Sequence, residues 1–135
     1  MVDLMRNEDV VRGYVDAFNA ADWEKMPSLF ADNAVIRGVL GWGTLDFAIP
    51  IWRDLHDNMQ MRLRLDDLIV ADGKAAALFT ETGTFSGPFR GLPGIAPTGK
   101  RYEIVAMEWF QFEGGRIARR WGARDSTAIT RQVSG

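Results

Sequence analysis

Residues 102–125 read YEIVAMEWFQFEGGRIARRWGARD, and the pair Gly114-Gly115 divides them into the two strands of a hairpin. Strict alternation sets Tyr102, Ile104, Ala106, Glu108, Phe110 and Phe112 on one face and Val105, Met107, Trp109 and Gln111 on the other. A two-residue turn pairs Glu113 with Arg116. The register then runs Phe112 to Ile117, Phe110 to Arg119, Glu108 to Trp121, Ala106 to Ala123 and Ile104 to Asp125. The first face suits a concave interior. The second carries Arg120, Gly122 and Arg124, with Arg120 placed over Trp109, and suits a subunit contact.

On this register Asp125 closes the second strand on the inward face, with Ile104 opposite and Ala123 two residues before it. Such surroundings desolvate a carboxylate and suit a general base near neutral pH. The same residue could instead pair with an arginine at the sheet rim. Glu108 shares the face but lies roughly 13 Å along the strand, too far for a close dyad, and Arg119 on its diagonal predicts an ion pair.

Upstream, Asn7 predicts the cap of a first helix carrying Val11, Tyr14, Val15 and Phe18 at helical spacing. Asp22 opens a short second helix that Pro27 keeps irregular. Ala34 to Leu40 reads as a strand, a glycine-flanked loop surrounds Trp42, and Asp46 to Asp57 reads as a third helix. From Met59 onward the pattern is strand throughout. Asp72-Gly73 is a hairpin turn, and pairing Ala71 with Lys74 sets Arg64 opposite Glu81. Ser86 to Gly99, rich in Gly and Pro, reads as a mobile loop over one end of the sheet. Helices followed by an antiparallel meander predict one α+β domain over residues 1–135. Its curved antiparallel sheet wraps around the N-terminal helices as a cone-shaped roll with an internal apolar pocket.

The composition is that of an ordinary globular chain, 47% hydrophobic and 25% charged with net charge −2. No basic excess exists to neutralise phosphates, so nucleic acid is not an expected partner. No apolar run approaches a membrane span, no signal-peptide layout opens the chain, and there are no cysteines. A cytoplasmic protein is expected. The single histidine, His56, sits at a helix end and cannot make a usual zinc site. Residues 94–100, GIAPTGK, match the start of a phosphate-binding loop. However, Arg101 stands where a hydroxyl must reach magnesium, and Pro97 removes a backbone donor. No metal and no cofactor are expected.

Several segments taken in order carry a resemblance. They are FNAADW at 18–23, LFADNAV at 29–35, TGTFSG at 82–87, GLP at 91–93 and PTGK at 97–100, then Gly115-Arg116-Ile117, Trp121 and Asp125. Together they resemble the SnoaL-like polyketide cyclases, within the wider fold named for nuclear transport factor 2. The resemblance implies a cofactor-independent intramolecular aldol cyclase, or a related isomerase, acting on a hydrophobic polyketide-like substrate. It implies Asp125 as the acid/base. Phe85 and Arg120 stand where family members often carry histidine. Arg64-Leu65-Asp66 also resembles part of the catalytic set of limonene-type epoxide hydrolases, with alternation placing both charges away from the core. A non-catalytic ligand-binding module is the third possibility. The expected substrate-binding residues are Tyr14, Trp42, Ile104, Glu108, Phe110 and Trp121, and the expected assembly is a homodimer or higher homo-oligomer.

Overall fold

The computed structural model describes residues 6–38 and 40–135. Helix α1 (Asn7–Asn19) buries Val10, Val11, Tyr14, Val15, Ala17 and Phe18 along one stripe. Its cap position is Arg6, without a side-chain cap bond, so Asn7 is the first helical residue rather than the cap. The expected second helix is a single 3-10 turn, Met26–Leu29, with Pro27 near its start. Strand β1 (Phe30–Gly38) begins four residues earlier than expected, and β2 (Gly41–Gly43) turns back against it. Helix α2 (Leu45–Asn58) matches the expected third helix and seats Ala48, Ile51, Trp52 and Leu55 in the core. It tolerates Pro50, six residues in.

Strands β3 (Arg62–Ala71), β4 (Lys74–Thr84), β5 (Arg101–Glu113) and β6 (Arg116–Arg124) complete a six-stranded sheet in the order β2-β1-β6-β5-β4-β3. The sheet is mixed, because β1 lies parallel to β6; the antiparallel meander holds only from β3 to β6. Both two-residue turns, Asp72-Gly73 and Gly114-Gly115, have positive φ at each position. That backbone twist matches the flanking strands of a hairpin.

Two one-residue bulges decide which side chains enter the core. In β6, Phe112 faces Ile117 and Gln111 faces Arg119, so Ala118 is the extra residue. In β3, Leu65 faces Phe79 and Asp67 faces Leu78, so Asp66 is the extra residue. A slip of one residue exchanges the two faces of everything beyond it. The register therefore departs from the unbulged one: Phe110 faces Arg120, Glu108 faces Gly122 and Ala106 faces Arg124. Arg64 faces Thr80, and Glu81 faces Leu63. The predicted cross-strand pair of Arg64 with Glu81 is thereby replaced: Arg64 bonds Asp66 and Thr80 on the exposed face.

The chain does not end in strand. Helix α3 (Ser126–Val133) packs Ile129 and Val133 into the core beside β5. The expected run of strand therefore stops at Arg124. The Ser86–Gly99 segment is tied down rather than loose. Phe85 N–H donates to the Lys100 carbonyl, Asn58 Nδ2 donates to the Pro88 carbonyl, and Arg90 pairs with Asp54.

Candidate functional site

The bulge at Ala118 turns Arg120 and Arg124 inward from β6, where Arg120 meets Glu108 on the adjacent β5 and Arg124 reaches across β5 to Glu81 on β4. The Arg120 Nε donates to Glu108 Oε1 at 2.8 Å, and Tyr14 Oη from α1 donates to the same oxygen at 2.8 Å. The Arg124 Nε donates to Glu81 Oε1 at 2.9 Å and its Nη2 to Glu81 Oε2, while Tyr102 Oη donates to Oε2 at 2.7 Å. Two Tyr–Glu–Arg sets thus lie side by side under the helices. Both carboxylates are buried, Glu81 completely.

Glycines make room for these sets. A Cβ on Gly122 would stand 2.9 Å from Arg120 Nη2, so the guanidinium lies across a residue that has no side chain. A Cβ on Gly83 would stand 2.3 Å from Tyr102 Cε1. Arg120 is further fixed by its Nη1 donating to the Arg37 carbonyl at 3.1 Å and by the Trp52 ring, 5.5 Å from its guanidinium carbon. A guanidinium over an aromatic face in a desolvated site adds cation–π attraction to the ion pair.

Electrostatics keep both tyrosines as donors. Burial pushes the Tyr14 hydroxyl well above its ordinary pKa; Arg120 opposes that rise and Glu108 adds to it. Burial likewise raises Tyr102, helped by Glu81 and opposed by Arg124. For Arg120, burial alone disfavours the charge, but Glu108 and Tyr14 together outweigh it and the pKa is raised. Arg124 behaves the same way toward Glu81.

The two sets differ in what they leave over. Glu81 uses both oxygens, so it offers a ligand no unpartnered oxygen. Glu108 takes both its bonds on Oε1, and its Oε2 has no partner among the described residues. No buried side-chain polar atom there is left unpaired, so Oε2 borders space that water can reach. Arg120 Nη2 is in the same position. A cavity of ≈ 30 Å³ lies here, walled by Tyr14, Ile51, Trp52, Glu108 and Arg120. One or two waters fill such a volume, so an organic ligand binds here only where the walls move apart to admit it. The site therefore presents a carboxylate oxygen and a cationic donor together in apolar surroundings.

Of the residues predicted from sequence, Tyr14 and Glu108 line this cavity. Ile104 and Phe110 are buried on the same face of β5 but do not wall it. Trp42 is exposed on β2, 5.8 Å edge-on from Trp121, and Trp121 faces the outer side of the sheet rather than the interior. Asp125 does not face the cavity. It is exposed at the cap of α3, where its Oδ1 accepts from Ala128 N–H at 2.9 Å. The bulge and the end of β6 at Arg124 account for the correction. Asp125→Ala is accordingly expected to lower the unfolding free energy by about 1 kcal/mol, the usual worth of an N-cap, as read by urea denaturation.

The arginines were the residues missed. Glu81 and Glu108 sit at inward positions of alternating strands, flanked by Phe79, Gly83, Ala106 and Phe110. Buried carboxylates in such places require cations, and Arg120-x-Gly122-x-Arg124 supplies two at alternate positions. His56 contacts Asp57 and the Asn19 carbonyl, edge-on to Phe18 and Trp23, away from the cavity.

Comparison with known proteins follows the fold. The family model for SnoaL-like polyketide cyclase matches residues 8–133. Among solved structures, IdmH from Streptomyces antibioticus, a proposed polyketide cyclase, superposes with TM-score 0.82 at 24% identity, covering 95% of this chain and 98% of its own. A proposed polyketide cyclase from Pseudomonas putida gives 0.79 at 25% identity, covering 96% and 99%. AclR from Streptomyces galilaeus, a proposed hydroxylase, gives 0.79 at 17% identity, covering 92% of each. No curated protein matches the sequence.

Proposed function

The chain belongs to the SnoaL-like polyketide cyclase family, and we propose that it is a cofactor-independent enzyme that moves a proton at carbon in an apolar, polyketide-like carbonyl compound. The observation that carries this reading is Glu108, pinned through Oε1 by Tyr14 and Arg120 while Oε2 stays open at the cavity. Glu108 Oε2 takes a proton from the carbon beside a carbonyl. The C–H electron pair becomes the enolate C=C bond, the carbonyl π pair moves onto the oxygen, and the enolate oxygen accepts from Arg120 Nη2. The enolate carbon then attacks a second carbonyl of the same molecule, closing a ring, and Glu108 returns its proton to the new alkoxide. Reprotonation at carbon instead gives an isomerase. Arg120, already positioned by Glu108, Arg37 and Trp52, needs no reorganisation as charge develops.

The test is deuterium incorporation into the methyl group of aryl methyl ketones in D₂O, followed by proton NMR. Acceleration over buffer is expected, and its absence across a panel that includes 1,3-diketones would remove the reading. Epoxide hydrolysis through Arg64 and Asp66 finds no support, because both lie on the exposed face. Among the described residues no helix is long and apolar enough to cross a membrane.

The outer sheet face is proposed as the contact between two copies of the chain. Ile69, Met107 and Trp109 are exposed there and line a concavity of ≈ 510 Å³ with Leu68 and Trp121, and Val105 is exposed on the same face of β5. An exposed apolar patch of this kind marks an interaction surface. Sedimentation of the wild type should give twice the 15.1 kDa of one chain, and Val105→Glu with Met107→Lys should give a monomer. A monomeric wild type would count against the contact.

A further inference from the structure

We propose that Arg124 is a second carbonyl-recognition residue, and that the ligand is an extended, uncharged molecule with two separated carbonyl groups, one for each buried arginine. This rests on the reading of the Glu108 cavity as the substrate site. A second chamber of ≈ 80 Å³ lies beneath the 86–99 loop, between the end of α2 and α3, with Met59, Phe89, Leu92 and Ile129 among its apolar walls. It shares two wall residues with the first cavity, Leu55 and Arg124. Arg124 therefore stands at the waist between the two spaces.

The guanidinium carries five N–H donors. Arg124 gives Nε and one Nη2 hydrogen to Glu81, and its Nη1 has no acceptor among the described residues. Since no buried side-chain polar atom among the described residues is left unpaired, Nη1 borders open space. Glu81, saturated by Arg124 and Tyr102, has no oxygen left to act as a base. The same residue types that leave an acceptor at Glu108 thus leave only donors at Arg124.

The charge balance selects the partner. Arg124 and Glu81 already form a neutral buried pair, so a carboxylate on Nη1 would leave one uncompensated negative charge in low dielectric. A ketone or ester oxygen accepts the hydrogen bond without that cost. Arg120 and Arg124 are four residues apart on one face of β6, roughly 13 Å along the strand, so one molecule lying along the strand can meet both.

The experiment compares alkane diones carrying two to six methylenes between the carbonyls with their matching monoketones, by calorimetric titration of the full chain. At least one dione should bind ten-fold or more tightly than its monoketone. The advantage should vanish in Glu81→Gln/Arg124→Met and persist in Asp125→Asn, which touches neither buried arginine. The matching keto acid should bind more weakly than the dione. No advantage at any spacing, an advantage that survives the double variant, or a preference for the acid would each overturn the proposal. If the double variant does not fold, infrared spectra of a ¹³C-carbonyl dione on the wild type decide. Both carbonyl bands should move to lower wavenumber on binding, and one unmoved band overturns the assignment. A dione advantage with both bands shifted in a protein that shows no deuterium exchange would keep this subsite while the proton-transfer reading fails, and exchange without the advantage would do the reverse.

Discussion

Glu108→Gln should slow deuterium exchange into an aryl methyl ketone by about 10²–10⁴-fold, the usual worth of a positioned general base, while Asp125→Asn leaves it within a few-fold of wild type. Glutamine at 108 keeps an amide oxygen that Tyr14 and Arg120 can still bond, so the cavity retains its shape and loses its proton acceptor. Asp125 offers the contrast of a carboxylate that is chemically equal but spent on a helix cap. Tyr14→Phe should fall between the two. It removes one of the two donors that hold Oε1 without touching Oε2, so kcat should drop by less than in Glu108→Gln, with Arg120 still in place. Because Glu108→Gln leaves Arg120 without its counter-charge, the comparison is made well below the unfolding transition, with near-ultraviolet circular dichroism confirming native packing. If Asp125→Asn abolished exchange while Glu108→Gln kept it, the base would sit at the helix cap and the cavity reading would fail.

That contrast also locates what the sequence could and could not disclose. Alternation in Tyr102, Ile104, Ala106, Glu108 and Phe110 was enough to assign the inward face of β5, and Tyr14 fell correctly on the apolar stripe of α1. What failed was one strand away. A bulge needs no glycine and leaves no compositional mark, and Ala118 looks like any strand residue. Counting from the Gly114-Gly115 turn without it turned Trp121 and Asp125 inward and Arg120 and Arg124 outward. Charge balance was the overlooked signal. The unbulged register gives Glu108 only the diagonal Arg119 and sets Arg120 and Arg124 opposite Trp109 and Val105 on the outer face, whereas a bulge at Ala118 brings a guanidinium to each buried carboxylate. Helix α3 was legible too: Asp125 followed by Ile129 and Val133 is a cap with two apolar residues one turn apart. Reading Asp125 as chemistry concealed its role as punctuation.

The second large effect concerns stability. Glu81→Leu should lower the unfolding free energy by about 3–5 kcal/mol, the cost of stranding one partner of a buried pair. It leaves the Arg124 guanidinium without its carboxylate and the Tyr102 hydroxyl without an acceptor. Against a total of about 5–15 kcal/mol for a domain, that is enough to bring much of the population near unfolding. Removing all three polar partners is expected to be far milder. Glu81→Leu/Arg124→Met/Tyr102→Phe replaces an ion pair, whose desolvation offsets most of its attraction, with apolar groups of similar volume, a change that is commonly neutral or stabilising. Urea denaturation of wild type, Glu81→Leu, Arg124→Met/Tyr102→Phe and the triple variant measures the coupling directly. Near-native stability in the triple variant would mean the buried pair is retained for what Arg124 presents to a ligand rather than for the fold. A triple variant as unstable as the single one would instead make the Tyr102–Glu81–Arg124 set a structural element, with Gly83 kept small to admit its ring.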